Sequence, residues 1–399
     1  MKLNANHTIA ACFIGFFTQA LVINFPPLLF ITFEQSFNIS LGKISMLIAI
    51  SFITQLIMDL LAANFPSFFN RRIILVAGML CSALGLVGFA VLPNILPPYT
   101  ALIISTSTAS IGSGIIEVMG SPTVEACPTK SKSGTMSLLH SFYCWGLAAT
   151  VALSTLFFFI FGLKNWQILA CLWAIIPAVG AVAFSVVPLY RLESAPQSNE
   201  NKSSVFRSSI FWAFVILMIC AGAAEQAMSQ WVSSFAEMGL GVSKAMGDLL
   251  GPCCFAILMG GARVFYAKFH DKINLSKFIV FSSALCIFAY LLAAFAPSSV
   301  ISLVGCAICG FSVGIMWPGT YSLATRRIKH GGVKMFALLA LAGDVGCTVG
   351  PTAAGWIADT FGDDFKVAFI FSAVFPIVMI IFTLVLVKSA KKGYNNESR

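Results

Sequence analysis

Twelve apolar runs, each of them twenty residues or longer, follow one another along this chain with mostly short connections between them. They fall at 8–37, 44–65, 72–93, 100–124, 135–161, 168–189, 209–235, 245–266, 277–296, 299–324, 334–358 and 367–388. A helix crosses about 30 Å of hydrocarbon with roughly 20 apolar residues, so each run is a candidate membrane span. No water is available there to satisfy the backbone, and a lone run can satisfy its own N–H and C=O groups only as a helix. The expected fold is therefore an all-α membrane protein with 12 transmembrane helices. Composition agrees, at 58% hydrophobic and 10% charged residues. An ordinary soluble domain carries about 25% charged residues. So few charges exclude both a water-soluble enzyme of this length and a disordered chain.

The longest polar connection is RLESAPQSNENKSSVFRS, residues 191–208, near the middle of the chain. It predicts an N-terminal six-helix bundle over 1–190, a linker over 191–208 and a C-terminal six-helix bundle over 209–399. FPSFFNRR (65–72) and GGARVFYAKFHDK (260–272) are basic connections at the same place in each half. A duplicated six-helix unit would leave such an echo. The run from Thr8 is too long for a signal core and reads as an uncleaved first span.

Lysine and arginine set the orientation. With both termini in the cytoplasm, only Lys43, Lys164, Lys244 and Lys366 of the 24 basic residues fall in outer segments. The net charge of +9 is thus explained by membrane topology, without nucleic acid. Most of the 12 cysteines lie inside apolar runs and read as small packing residues, with no disulfide framework.

An ionised carboxylate inside hydrocarbon costs about 2.5–3.5 kcal/mol on insertion scales, so deep acidic residues are candidates for function. Glu117 lies in the fourth run among Gly112, Gly114 and Gly120, which let a backbone or a ligand come close. It reads as a carboxylate that binds solute or exchanges a proton. In the seventh run, Glu225, Gln226, Ser229 and Gln230 form a polar strip by their four-residue spacing. Such a strip suits the hydroxyls of a sugar-like solute, with Trp231 read as a stacking platform beside it. Asp344 stands in LAGDVGCTVGPTAAGW (341–356) in the eleventh run, and no lysine or arginine of the sequence lies at comparable depth. It reads as a protonatable or cation-binding group. Trp317-Pro318 predicts a kink with an aromatic wall in the tenth run, and Asn24, Pro26 and Pro27 predict a break in the first. Asp59 is expected to pair with Arg71 or Arg72 or to cap a neighbouring helix, and Asp248 to pair with Lys244. H-E-x-x-H, a histidine cluster and G-x-x-x-x-G-K-[ST] are all absent from the sequence, so no metal, cofactor or ATP chemistry is expected.

Twelve spans, a six-plus-six split and basic loops after spans 2 and 8 resemble the major facilitator superfamily. Within it, IGSGIIEVMGSPTVEACP (111–128), SLLHSFYCWG (137–146), GAAEQAMSQW (222–231) and GIMWPGTYSL (314–323) are similar to helices 4, 5, 7 and 10 of the fucose–proton symporter family. The resemblance implies a secondary transporter, not an enzyme. Its cavity would be lined by spans 1, 4, 7 and 10, the spans that carry Asn24, Glu117, Glu225 and Trp317. It implies symport of a small polar solute, a sugar or similar compound, by alternating access. The coupling ion would be a proton, or alternatively sodium, with Glu117 and Asp344 as the coupling groups. Arg71, Arg72, Arg263, Lys268 and Asp271 would form gating loops. A monomer in the bacterial inner membrane is expected. Two positions depart from the family: Pro27 stands where helix 1 usually carries an aspartate, and Ser121-Pro122 replaces an Asn-Pro. A proton-coupled exporter of amphipathic compounds, and a sensor with a transporter fold, remain alternative readings.

Overall fold

The computed structural model describes residues 3–63, 70–129, 132–190, 208–269, 273–328 and 332–397. Among them every regular element is helical. The chain divides into two compact units, Met1–Ala195 with Lys244–Leu249, and Pro196–Ser243 with Leu250–Arg399.

The first unit begins with α1 (Ala5–Asn24), whose N-terminus is closed by a reciprocal pair of hydrogen bonds between Asn4 and His7. Pro26 and Pro27 carry no N–H for the carbonyls of Val22 and Ile23, so the helix tightens into a turn at Pro26–Leu29. It resumes as α2 (Phe30–Phe37), which ends at Asn38 in the left-handed conformation, φ 52°. Then come α3 (Leu41–Ala63), α4 (Arg71–Val91), α5 (Pro98–Glu125), α6 (Lys132–Phe161) and α7 (Trp166–Val186).

The second unit opens with α8 (Ser209–Ser234), capped by Ser208 and extended by one wide turn, Phe235–Gly239. The eighth span starts as α9 (Lys244–Asp248), which groups with the first unit. It continues through a wide turn holding Pro252 into α10 (Cys254–Phe269). After α11 (Leu275–Phe295), the tenth span is divided at Gly314–Ile315 into α12 (Ser299–Val313) and α13 (Met316–Arg327). The last elements are α14 (Gly332–Thr360), α15 (Phe365–Ser372) and α16 (Val374–Glu397).

Eleven helical stretches among the described residues are long and apolar enough to cross a membrane. The 29-residue α14 occupies the place of the remaining span, which completes the twelve-helix architecture.

Both units use one pairing scheme. In the first, α1 packs on α5, α6 and α7, α3 packs on α5, and α4 packs on α5 and α7. In the second, α8 packs on α12 to α16, α10 packs on α12, and α11 packs on α12, α15 and α16. Shifted by six spans, these pairings coincide, which carries the weak sequence echo into three dimensions.

Candidate functional site

The polar strip on α8 is real and buried. Glu225 is 8% exposed, Gln226 5%, Ser229 5% and Gln230 3%. Gln230 Nε2 donates to Gln226 Oε1 at 3.2 Å, and Gln226 Nε2 donates to Glu225 Oε1 at 3.5 Å. The hydroxyl of Ser229 has no hydrogen-bond partner among the described residues. A buried polar atom left this way costs about 1–3 kcal/mol, so an incoming ligand would recover that cost by engaging it.

The carboxylate of Glu225 faces a cation that the sequence reading assigned elsewhere. Arg263 Nη2 lies 3.7 Å from Glu225 Oε2. This corrects two expectations. Arg263 is part of α10, not of a gating loop, and the spans of this unit do hold a basic partner for a carboxylate. Arg263 Nε also donates to the carbonyl of Gly314 at 3.3 Å. The reason lies four residues on. Pro318 has no N–H, so the Gly314 carbonyl lacks its usual helical donor, and the guanidinium takes its place. Gly314 makes this approach possible: a Cβ there would lie 2.8 Å from the Met259 carbonyl and 2.9 Å from the Ala262 side chain on α10.

Trp317, half-buried in the first turn of α13, lays the edge of its indole against Gly343 of α14, where any larger residue would collide with the ring. Asp344 is the next residue and is also half-buried. The other glycines around it serve close helix packing. Gly222 of α8 meets the Gly343 carbonyl, and Gly346 and Gly350 of α14 meet the carbonyls of Ile219 and Ala223. Trp231 is no stacking platform. It is fully buried, donates Nε1–H to the Pro351 carbonyl at 2.7 Å and packs on Phe365 with ring centroids 5.3 Å apart. At about 100° per residue its ring projects from the side of α8 opposite the strip.

In the first unit, Glu117 is half-buried, and its three glycines are likewise filled by protein. Gly112 meets Gly78 and Ser82 of α4, Gly114 meets Gln55 and Met58 of α3, and Gly120 meets Phe16 of α1. One turn before Glu117 stands a polar network that the sequence reading missed. Ser113 Oγ donates to Gln55 Oε1 at 3.1 Å, Gln55 Nε2 donates to the Ser51 carbonyl at 3.3 Å, and Ser51 and Ser110 share a hydrogen bond of 2.8 Å. The signal was available: Ser110, Ser113 and Glu117 are spaced three and four apart, which stacks them on one face. Asn24 is not brought to this group. It is 4% exposed and donates to the Ala20 carbonyl of its own helix at 2.8 Å. The α1 residues that meet the Glu117 turn are Gly15 and Phe16, about 12 Å of helix before Asn24.

Of the proposed gating residues, Arg71 opens α4, and Arg72 donates to the carbonyls of Phe184, Ser185 and Val187 at the end of α7. Lys268 lies in the last turn of α10, its ammonium 5.6 Å from the centre of the Phe269 ring. Asp271 and the linker 191–207 lie outside the described residues, as does the side chain of Asp59. The pair anticipated at the start of the eighth span is present: Lys244 Nζ lies 3.1 Å from Asp248 Oδ2, and Thr155 of α6 donates to the same oxygen at 3.3 Å. The described residues contain no cluster of three or more histidine, cysteine, aspartate or glutamate side chains fit to hold a metal.

Two compact units with one pairing scheme, built from helices long and apolar enough to cross a membrane, define a multi-pass membrane protein. The sequence model of the Major Facilitator Superfamily matches residues 9–333, and the chain belongs to that family. No curated protein sequence gives a significant match. Among solved structures, the fucose:proton symporter of E. coli is similar at 17% identity and TM-score 0.64, over 94% of this chain and 98% of the other. The nucleoside transporter NupG is similar at 11% identity and TM-score 0.78, over 96% and 99%. A D-xylose-proton symporter is similar at 13% identity and TM-score 0.73, over 95% of each chain. These likenesses show the fold. The protein is a multi-pass membrane transporter that binds a small-molecule substrate.

Proposed function

We propose that the protein carries a small neutral solute rich in hydroxyl groups, a sugar or sugar-like compound, inward with protons by alternating access. The observation that carries this reading is the strip on α8. Glu225, Gln226, Ser229 and Gln230 are buried on a helix that is otherwise largely apolar, and the Ser229 hydroxyl has no protein partner among the described residues. Amides and hydroxyls offer both donors and acceptors, as a hydroxylated ring does. Arg263 balances the Glu225 charge, so the set favours a neutral ligand over an ionic one. The names of the three similar structures support the same chemistry, since fucose, nucleosides and D-xylose all carry several hydroxyls.

Glu117 and Asp344 are the proton-coupling groups in this reading. Both are half-buried acidic residues at depth, and Pro27 leaves no carboxylate at the family's helix 1 position. The transporter acts as a monomer in a bacterial inner membrane, with both termini cytoplasmic. The test is uptake of labelled L-fucose, D-xylose and uridine into proteoliposomes, with and without an inward proton gradient. One of these solutes is expected to accumulate only with the gradient. Glu117→Gln should abolish accumulation while sparing counterflow, and Glu225→Gln should weaken half-saturation at least tenfold. No uptake of any hydroxylated solute would overturn the reading.

A further inference from the structure

We propose that Arg263 is a positioning residue that ties the solute strip on α8 to the bend in the tenth span. This rests on the reading of the strip as the solute site. The guanidinium is a rigid planar fork, so its donors cannot be moved independently. Its Nε holds the Gly314 carbonyl at 3.3 Å, and its Nη2 lies 3.7 Å from Glu225. The Gly314 carbonyl sits where α12 gives way to α13, and Pro318 deprives it of a backbone donor. One side chain from α10 therefore braces the break in the tenth span and faces the carboxylate of the seventh.

The consequence is mechanical. A solute hydroxyl that engages the Glu225 carboxylate competes with Arg263 for it. The fork then shifts, and the brace on Gly314 shifts with it. Trp317, three residues beyond the break, stands against Gly343, next to Asp344. Movement at the break thus carries the indole along α14 beside a candidate coupling acid. Through this path, occupancy of the strip reaches Asp344 without any contact between solute and aspartate.

The test is amide hydrogen exchange by mass spectrometry on the full-length protein in nanodiscs, following peptides that cover residues 312–323. Arg263→Gln and Glu225→Gln should each speed exchange there at least fivefold and leave peptides of α4 and α5 unchanged. The double variant should be no faster than the faster single variant, because the two residues act as one unit. Arg263→Lys keeps the charge but lacks the fork, and it should show the same acceleration; it serves as the second variant should Arg263→Gln fail to fold. No acceleration in either single variant, no acceleration in Arg263→Lys, or additive effects in the double variant would overturn the proposal. Counterflow of L-fucose, D-xylose or uridine supplies a second readout. Arg263→Lys should keep half-saturation within threefold and cut the turnover rate at least tenfold, and the reverse pattern would overturn the proposal. If none of the three solutes moves, the reading of the strip fails, and the exchange data still decide whether Arg263 braces the bend.

Discussion

Trp231 of α8 donates its indole N–H to the carbonyl of Pro351 in α14 at 2.7 Å. The bond pins the two helices at a depth where neither group can turn to water, and the ring is fully buried against Phe365. Trp231→Phe keeps most of the packing and loses the bond, with an expected cost of about 1 kcal/mol. Trp231→Ala also opens a cavity and should cost about 3–5 kcal/mol. Thermal unfolding in detergent should rank the three proteins in that order. Solute affinity measured on folded Trp231→Phe should stay within twofold of the parent, because the indole faces away from the strip. A large loss of affinity would restore the ring to the binding site.

The glycines of α14 predict a second contrast. A Cβ at Gly346 would collide with the Ile219 carbonyl of α8, and backbone cannot move aside as a side chain can. Gly346→Ala should therefore destabilise the protein by about 1–3 kcal/mol. Gly261, on α10, has nothing within 4 Å of the position a Cβ would take. Gly261→Ala should leave the melting temperature unchanged or slightly raised, since alanine is the better helix former by about 1 kcal/mol. Equal effects at both positions would mean that α8 and α14 are not in close contact.

These residues also mark how far the sequence could be read. The spans were legible because hydrocarbon admits few backbone solutions, and the break at Pro26-Pro27 followed from two missing N–H groups. The glycines near Glu117 and Asp344 were visible too, but what fills the space above a glycine is a property of the partner helix. Gln55 and Phe16 occupy those spaces near Glu117, and Ile219, Ala223 and Trp317 those near Asp344, and all of them belong to other segments of the chain. The Glu225–Arg263 pair was hidden for the same reason: the two residues lie on different helices, and local spacing says nothing about them. Arg263 drew attention through its resemblance to a loop motif. Its position inside an apolar run was the better signal, because a cation there needs a partner. Trp231 could have been placed correctly from helical periodicity alone.

Arg72 closes the end of a helix that is not its own. Its guanidinium reaches the carbonyls of Phe184, at 2.9 Å, of Ser185, and of Val187, at 2.9 Å, where α7 runs out of backbone donors. A cation at a helix C-terminus is also favoured by the helix dipole. Arg72→Met should cost about 2–3 kcal/mol, since hydrogen bonds from a charged donor are worth more than neutral ones. Arg71, half-buried at the start of the same helix, makes no such cap, so Arg71→Met should cost less than Arg72→Met, by about 1 kcal/mol or more. Chemical unfolding of both variants checks the difference. A gating role for Arg72 independent of this cap would appear as lost transport in a variant of unchanged stability.

Asp363 lies in the turn between α14 and α15 with φ 64°, a left-handed backbone that few side chains accept. Burial, and then the neighbouring charge of Asp359, push its carboxyl above the ordinary carboxylate range. The folded protein therefore holds this proton more tightly than the unfolded chain does. As pH rises from the ordinary carboxylate range through the raised value, the unfolded state has already lost the proton, and folded stability falls across that window. Asp363→Asn removes the titration and suits the left-handed backbone at least as well. It should raise the melting temperature at neutral pH and flatten its decline across the carboxylate range. A parent and variant with parallel melting curves at every pH would show that Asp363 contributes nothing to the pH dependence of folding.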